Sequence, residues 1–198
     1  MKSKKINVRA LTVTAVMGAL STVLMMIEFS IPIMPSFIKL DFSELPALIT
    51  GFAYGPVWGI VVCLFKNLMH LLTGNFDTFG IGQLSNFILG AFFVGLASLI
   101  YKKKKNKKWA LISCLISSIS MAVFSVLSNY FVIYPLFGLI GFTEDVLLGM
   151  YQAILPSVDN LFEAIAIFNL PFNFVKMIIV SLMCFVIYKR ISPVLKKQ

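Results

Sequence analysis

Acidic side chains are scarce in this chain: eight Asp and Glu stand against seventeen Lys and Arg in 198 residues. Charge of either sign makes up only 13% of the sequence, where an ordinary soluble domain carries about 25%. There is one histidine, His70, and a lone histidine cannot build a multi-histidine metal centre. The three cysteines, Cys63, Cys114 and Cys184, sit in separate apolar runs, with neither metal-ligand spacing nor a disulfide framework. They read as small buried apolar residues. No Walker A lysine motif, HExxH or Gly-x-Ser-x-Gly elbow occurs. The chain therefore cannot hydrolyse ATP, and no nucleophile–base pair marks an intramembrane enzyme. No inverted repeat and no soluble domain is visible either.

Apolar residues are what the chain has in excess. They form 59% of it and include 19 Phe and 10 Met, more apolar surface than a domain of this size can turn inward. In lipid such side chains face outward at no cost, and every backbone polar group must be satisfied within a helix or a closed barrel. The composition predicts an all-α integral membrane protein.

The net charge of +9 raises the question of a nucleic-acid partner, and its placement argues against one. Lys2, Lys4, Lys5 and Arg9 precede the first apolar run. Lys102, Lys103, Lys104, Lys105, Lys107 and Lys108 fill one short interruption, and Lys189, Arg190, Lys196 and Lys197 close the chain. Cations beside apolar segments mark the cytoplasmic face. The N-terminal basic flank resembles a signal peptide, but Glu28-Phe29-Ser30-Ile31-Pro32 follows without a small-residue cleavage pattern. It is read as a retained first span.

Parity then sets the number of spans. If residues 42–72 crossed once, the three basic clusters could not share a side. If the chain turns at Gly55-Pro56, a strong helix-ending dipeptide, it crosses twice there and both termini are cytoplasmic. The expectation is six transmembrane helices in a single membrane domain, over about 10–29, 42–54, 56–72, 82–101, 109–134 and 172–188. Outer loops would cover 30–41, 73–81 and 135–171, with a lysine-rich inner loop at 102–108. All eight acidic residues (Glu28, Asp41, Glu44, Asp77, Glu144, Asp145, Asp159, Glu163) then fall on the outer side.

Three cations escape the basic clusters: Lys39, Lys66 and Lys176. Lys39 lies in an outer loop. An ionisable group inside a membrane is a functional hypothesis by default, and snorkelling to the interface is the alternative. For Lys66 the two readings are evenly matched. Lys176 shares a helix face with Asn169 and Asn173, at i, i+4 and i+7. Ser118, Ser125 and Asn129 form a second polar stripe, and Gln83, Asn86 and Gly90 a third. Each alone can serve interhelical hydrogen bonding; together on the outer half they favour a ligand pocket. His70, four residues from Lys66, reads as an interfacial polar residue. Gly80 and Gly82 allow close backbone approach to a ligand, or simply punctuate a turn.

Several segments carry a family resemblance. Lys39-Leu40-Asp41-Phe42-Ser43-Glu44-Leu45-Pro46-Ala47-Leu48-Ile49, Gly51-Phe52, Gly55-Pro56 and Lys66-Asn67-Leu68-Met69-His70 are four of them. Gly80-Ile81-Gly82-Gln83-Leu84-Ser85-Asn86-Phe87, Asn129-Tyr130-Phe131-Val132-Ile133-Tyr134-Pro135, Tyr151-Gln152-Ala153-Ile154-Leu155-Pro156 and the tail Ile187-Tyr188-Lys189-Arg190-Ile191-Ser192-Pro193 complete the set. They resemble the riboflavin-specific S-component of energy-coupling factor (ECF) vitamin transporters over most of the chain from residue 10. The resemblance implies a six-helix subunit of the bacterial cell membrane that captures riboflavin outside and carries no cofactor, with FMN left open as a second ligand. It also implies partnership with a transmembrane coupling protein and two ATPases. An S-component for a different vitamin, an intramembrane enzyme and a purely structural subunit are the alternatives.

The resemblance also implies residue roles. It assigns ligand contact to Leu40, Asp41, Gly80, Asn129, Asn173 and Lys176, with Glu44, Ala47, Lys66 and Asn86 added to the set. It assigns coupling-protein contact to Ala15 and Ala19 of the first helix. Small residues at i and i+4 also serve ordinary helix packing.

Overall fold

The structure, a computed structural model, describes residues 8–73 and 78–196. Lys2, Lys4, Lys5, Asp77 and Lys197, which enter the topology argument, lie outside the described residues, as do residues 74–77 of the expected loop 73–81. Helix α1 (Val8–Met26) leads into a short antiparallel ladder, β1 (Phe29–Ser30) with β2 (Lys39–Leu40). Phe29 pairs with Leu40 and Ser30 with Lys39. The expected loop 30–41 is therefore a structured hairpin, closed by an ion pair between Glu28 and Lys39.

Next come α2 (Glu44–Tyr54) and α3 (Pro56–Leu72). Gly55 separates them with φ of +107°, a conformation that a Cβ would strain. Pro56 opens α3 at a position where its missing N–H costs nothing. The two helices lie side by side, with Gly59 as the contact. A Cβ there would sit 2.5 Å from Val94 Cγ1 and 3.0 Å from the Ala47 carbonyl.

Helix α4 (Ile81–Lys103) ends in the lysine-rich interruption. Asn106 then caps α5 (Lys107–Ser128), accepting from the Trp109 amide at 2.9 Å. Helix α5 runs without a break into a π-helical segment, π1 (Asn129–Ile133), and α6 (Tyr134–Gly138). After α7 (Glu144–Gln152), the short α8 (Leu161–Ala164) enters a second π segment, π2 (Ile165–Asn169), and then α9 (Leu170–Lys196). Residues 135–171 are thus largely helical rather than one long loop. The reason is apolar burial: Phe137, Leu147, Tyr151, Leu161 and Ile165 form a second core with Ile133.

Among the described residues, four helical stretches are long and apolar enough to cross a membrane: Val8–Met26, Ile81–Lys103, Lys107–Gly138 and Leu161–Ile187. Helix α3 is a shorter apolar helix of 17 residues, and α2, with 11, falls below the roughly 17–25 usually needed. The main core joins α1 through α5 and α9 around Leu48, Phe52, Phe93, Met121 and Met177. All three cysteines are buried and free. On the outside, Leu111, Leu115, Ile119, Val123 and Leu127 make an exposed stripe along α5. Such a stripe is stable against lipid and costly against water.

A candidate ligand site beneath the hairpin

The two π segments shape the site. Each inserts an extra residue per turn, which rotates the side chains that follow. Asn129 begins π1 and Asn169 ends π2, and both line one internal cavity of about 130 Å³. From the helices, Asn86, Asn173 and Lys176 point into the same cavity, together with Glu44 of α2. Met121, Leu89 and Phe172 supply its apolar walls.

Adjoining it is a vestibule of about 370 Å³, bounded by Glu28, Asp41, His70, Gln83 and Met150. The two spaces share Phe37, Lys39, Gly82 and Asn86 in their walls. Phe37, carried by the hairpin, packs edge-on against Tyr134 with ring centroids 6.0 Å apart, and lies 5.7 Å from Phe137. The inner cavity alone is smaller than the about 300–1,000 Å³ usual for a small-molecule site, while the vestibule falls within that range. The Asn86 Oδ1 atom is buried without a protein hydrogen-bond partner, and such an acceptor is normally satisfied in a working state.

Asn129 Oδ1 accepts from Ser85 at 3.5 Å, at the outer limit of a hydrogen bond. Asn173 donates to Ser125 Oγ at 3.1 Å. Asn169 is engaged through both its oxygen and its nitrogen: it donates to the Tyr134 hydroxyl at 3.0 Å and accepts from Tyr151 at 2.7 Å. Tyr134 and Tyr151 are bonded to each other, so the three side chains close a ring. That ring fixes π2 against α6 and α7 and leaves Asn129 and Asn173 as the adaptable amides.

Against the cavity wall sits a buried charge network, which reaches the vestibule through Asp41. Lys66 donates to Glu44 Oε1 at 2.6 Å and to the Ser43 hydroxyl. Lys176 donates to Asp41 Oδ2 at 2.9 Å and lies 3.3 Å from Glu44 Oε2. Ser43 bonds Asp41 Oδ1 through its amide, at 2.8 Å, and through its hydroxyl. The Ser43 carbonyl in turn accepts from Ser21 of α1 at 2.8 Å. Two cations and two anions, none more than 6% exposed, are thus mutually compensated, as buried charges must be. Burial alone raises the Asp41 carboxyl pKa. The charges of Lys176 and Lys66 and the Ser43 hydroxyl overcome it and hold the group well below the usual carboxylate range.

The residues singled out from the sequence divide accordingly. Glu44, Asn86, Asn129, Asn173 and Lys176 come together on the inner cavity. Asp41 lines the vestibule, and Leu40 a separate apolar crevice of about 570 Å³ beside α9. Ala47 is buried in the main core. Lys66 is wholly buried behind Glu44, which removes snorkelling as its explanation. Gly80 caps α4 with φ of +85° and lines neither space, so the turn accounts for the glycine. Ala15 and Ala19 lie on the exposed face of α1. Sequence reasoning passed over Phe37, Met121 and Tyr134; a lone aromatic or methionine in an apolar run gives no sign that it faces a cavity.

Apolar outer faces around a polar, partly unsatisfied cavity define a membrane-embedded subunit that holds a small molecule. Among the described residues, no group of three or more His, Cys, Asp or Glu is placed to hold a metal ion. The chain belongs to the substrate-specific components of ECF transporters, whose family model matches residues 9–188. It is 35% identical over 191 residues to the riboflavin transporter RibU of Staphylococcus aureus (strain TCH60), covering 96% of this chain and 94% of that protein. It is 30% identical over 193 residues to the riboflavin transporter FmnP of Bacillus subtilis (strain 168), covering 97% and 96%. A solved S component of a bacterial ECF transporter superposes with a TM-score of 0.73 at 34% identity, over 95% of this chain and 98% of that one. The chain is accordingly the substrate-binding subunit of an ECF importer, a multi-pass protein of the bacterial plasma membrane and not an enzyme.

Proposed function

We propose that this subunit captures riboflavin from outside the cell, and that a transmembrane coupling protein and two ATPases drive its release inward. The reading rests on one observation above others. Asn86, Asn129, Asn173 and Lys176 converge on one cavity in a chain whose full-length relatives are riboflavin transporters. The pyrimidine edge of a flavin presents two carbonyls and an imide N–H. An Asn amide answers both kinds of group, and a lysine donates to a carbonyl or to a ribityl hydroxyl. The free Asn86 Oδ1 is an acceptor in want of such a donor. Met121, Leu89 and Phe172 suit the apolar remainder of the ring.

Entry goes through the vestibule, and the hairpin, by way of Phe37, acts as the movable wall between the two spaces. Six spans with both termini in the cytoplasm accord with this scheme. Lys102–Lys108 then forms an exposed inner loop, and the vestibule opens outward. In that arrangement α2 and α3 together serve as the paired second and third spans, with α2 reaching only part of the way across.

The test is riboflavin titration of the detergent-purified protein by calorimetry or flavin fluorescence quenching. Asn129→Ala and Asn173→Ala are each expected to weaken binding by about 1–3 kcal/mol, or roughly 5- to 150-fold in Kd. Parental affinity in both variants would mean that the flavin sits elsewhere.

A further inference from the structure

The inner cavity has three charged side chains on its wall: Lys39 from the hairpin, Glu44 from α2 and Lys176 from α9. Helices α4, α5 and α6 contribute none to it. Lys39 is paired with Glu28 toward the vestibule, where Asp41 and His70 also face. Among the described residues, Glu44 is therefore the only carboxylate on the inner wall. It is also the one group that touches both buried lysines, at 2.6 Å to Lys66 and 3.3 Å to Lys176. Its Oε1 takes the Lys66 hydrogen bond, while its buried Oε2 faces the Lys176 ammonium at 3.3 Å. Gly90 of α4, also on the cavity wall, leaves it room: a Cβ there would stand 3.4 Å from Oε1.

We propose that Glu44, through its ion pairs to Lys66 and Lys176, balances the charge of this cavity wall and fixes that wall as a receptor for an uncharged heterocyclic edge bearing an N–H donor. Charge decides this. Asp41, Glu44, Lys66 and Lys176 sum to zero in an interior where uncompensated charge is costly. A neutral wall leaves a weakly acidic imide its proton, so the ligand keeps the N–H that an acceptor can take. Without Glu44 the network carries one net positive charge, which favours loss of that proton to solvent and binding of the imide anion. Without Lys66 it carries one net negative charge, which opposes that loss. Lys66 does not line the cavity, so it acts only through Glu44 and the network. It is a positioning residue.

The inference rests on the riboflavin reading, and the experiment separates the two. Wild type, Glu44→Gln, Lys66→Met and the double variant are loaded with riboflavin in detergent. The flavin absorbance is followed as the bound imide is titrated through alkaline pH. Riboflavin binding by wild type tests the functional reading first. The imide is expected to titrate about 1–3 pH units lower in Glu44→Gln, higher in Lys66→Met, and near the wild-type value in the double variant. A structural role for Glu44 alone predicts no such opposite signs and no cancellation. If Glu44→Gln does not fold, the comparison of Lys66→Met with the double variant carries the test. Adding Glu44→Gln must then bring the imide titration back down. Wild type binding riboflavin while the imide titrates alike in all variants that fold overturns the charge-balance role and leaves the functional reading standing.

Discussion

Lys176→Met is expected to abolish riboflavin binding and to destabilise the protein by about 3–5 kcal/mol, the usual cost of removing one partner from a buried ion pair. Lys176 is 6% exposed and holds two carboxylates, Asp41 at 2.9 Å and Glu44 at 3.3 Å. Its loss leaves two buried anions facing Lys66 alone. The companion Asp41→Asn/Lys176→Met removes one charge of each sign, and restores neutrality with Glu44 and Lys66 still paired. Thermal unfolding in detergent should show most of the stability recovered in the double variant, while calorimetry still finds no riboflavin binding. That split separates the structural part of Lys176 from its part in the site. A single variant that melts and binds like the parent would remove Lys176 from both.

The second large effect concerns assembly. Ala15 and Ala19 lie on the exposed face of α1, away from the cavity, whose walls include no residue of that helix. If this face docks the coupling protein, a bulky side chain there keeps the two helices apart. Ala15→Trp or Ala19→Trp is expected to leave the riboflavin affinity of the isolated subunit near normal. Copurification with the coupling protein and ATPases should be lost, and riboflavin uptake by cells should fall to background. Intact complexes and normal uptake in both variants would show that this face contacts lipid only.

The sequence disclosed the helical class through composition, and most helices through their apolar runs. The Gly55-Pro56 break was legible because both residues act locally, through φ and a missing N–H. The polar stripes of Asn129 and of Asn173 with Lys176 were legible because helix spacing is fixed. The structure departed from the sequence reading where partners are distant or helices irregular. Asp41 and Lys176 are 135 residues apart, so no local pattern announces their pairing. For the same reason Lys66 could not be told from a snorkelling lysine until Glu44 stood beside it. The first π segment re-aims the residues after Asn129, Tyr134 among them, by one extra residue per turn, which apolar periodicity does not encode. Residues 135–171 looked like a loop because Glu144, Asp145, Asp159 and Glu163 interrupt their apolar pattern. Their folding into helices depends on packing against Phe37 and Ile133, which lie elsewhere in the chain.

The claim at the centre of this account is that the cavity holds riboflavin, and the absorption spectrum of the purified protein tests it most directly. Protein expressed in riboflavin-containing medium and purified in detergent should be yellow, with a bound flavin spectrum approaching one flavin per chain. Riboflavin should be the species released on denaturation, as identified by mass. A colourless protein that also leaves the fluorescence of added riboflavin unquenched would contradict the account.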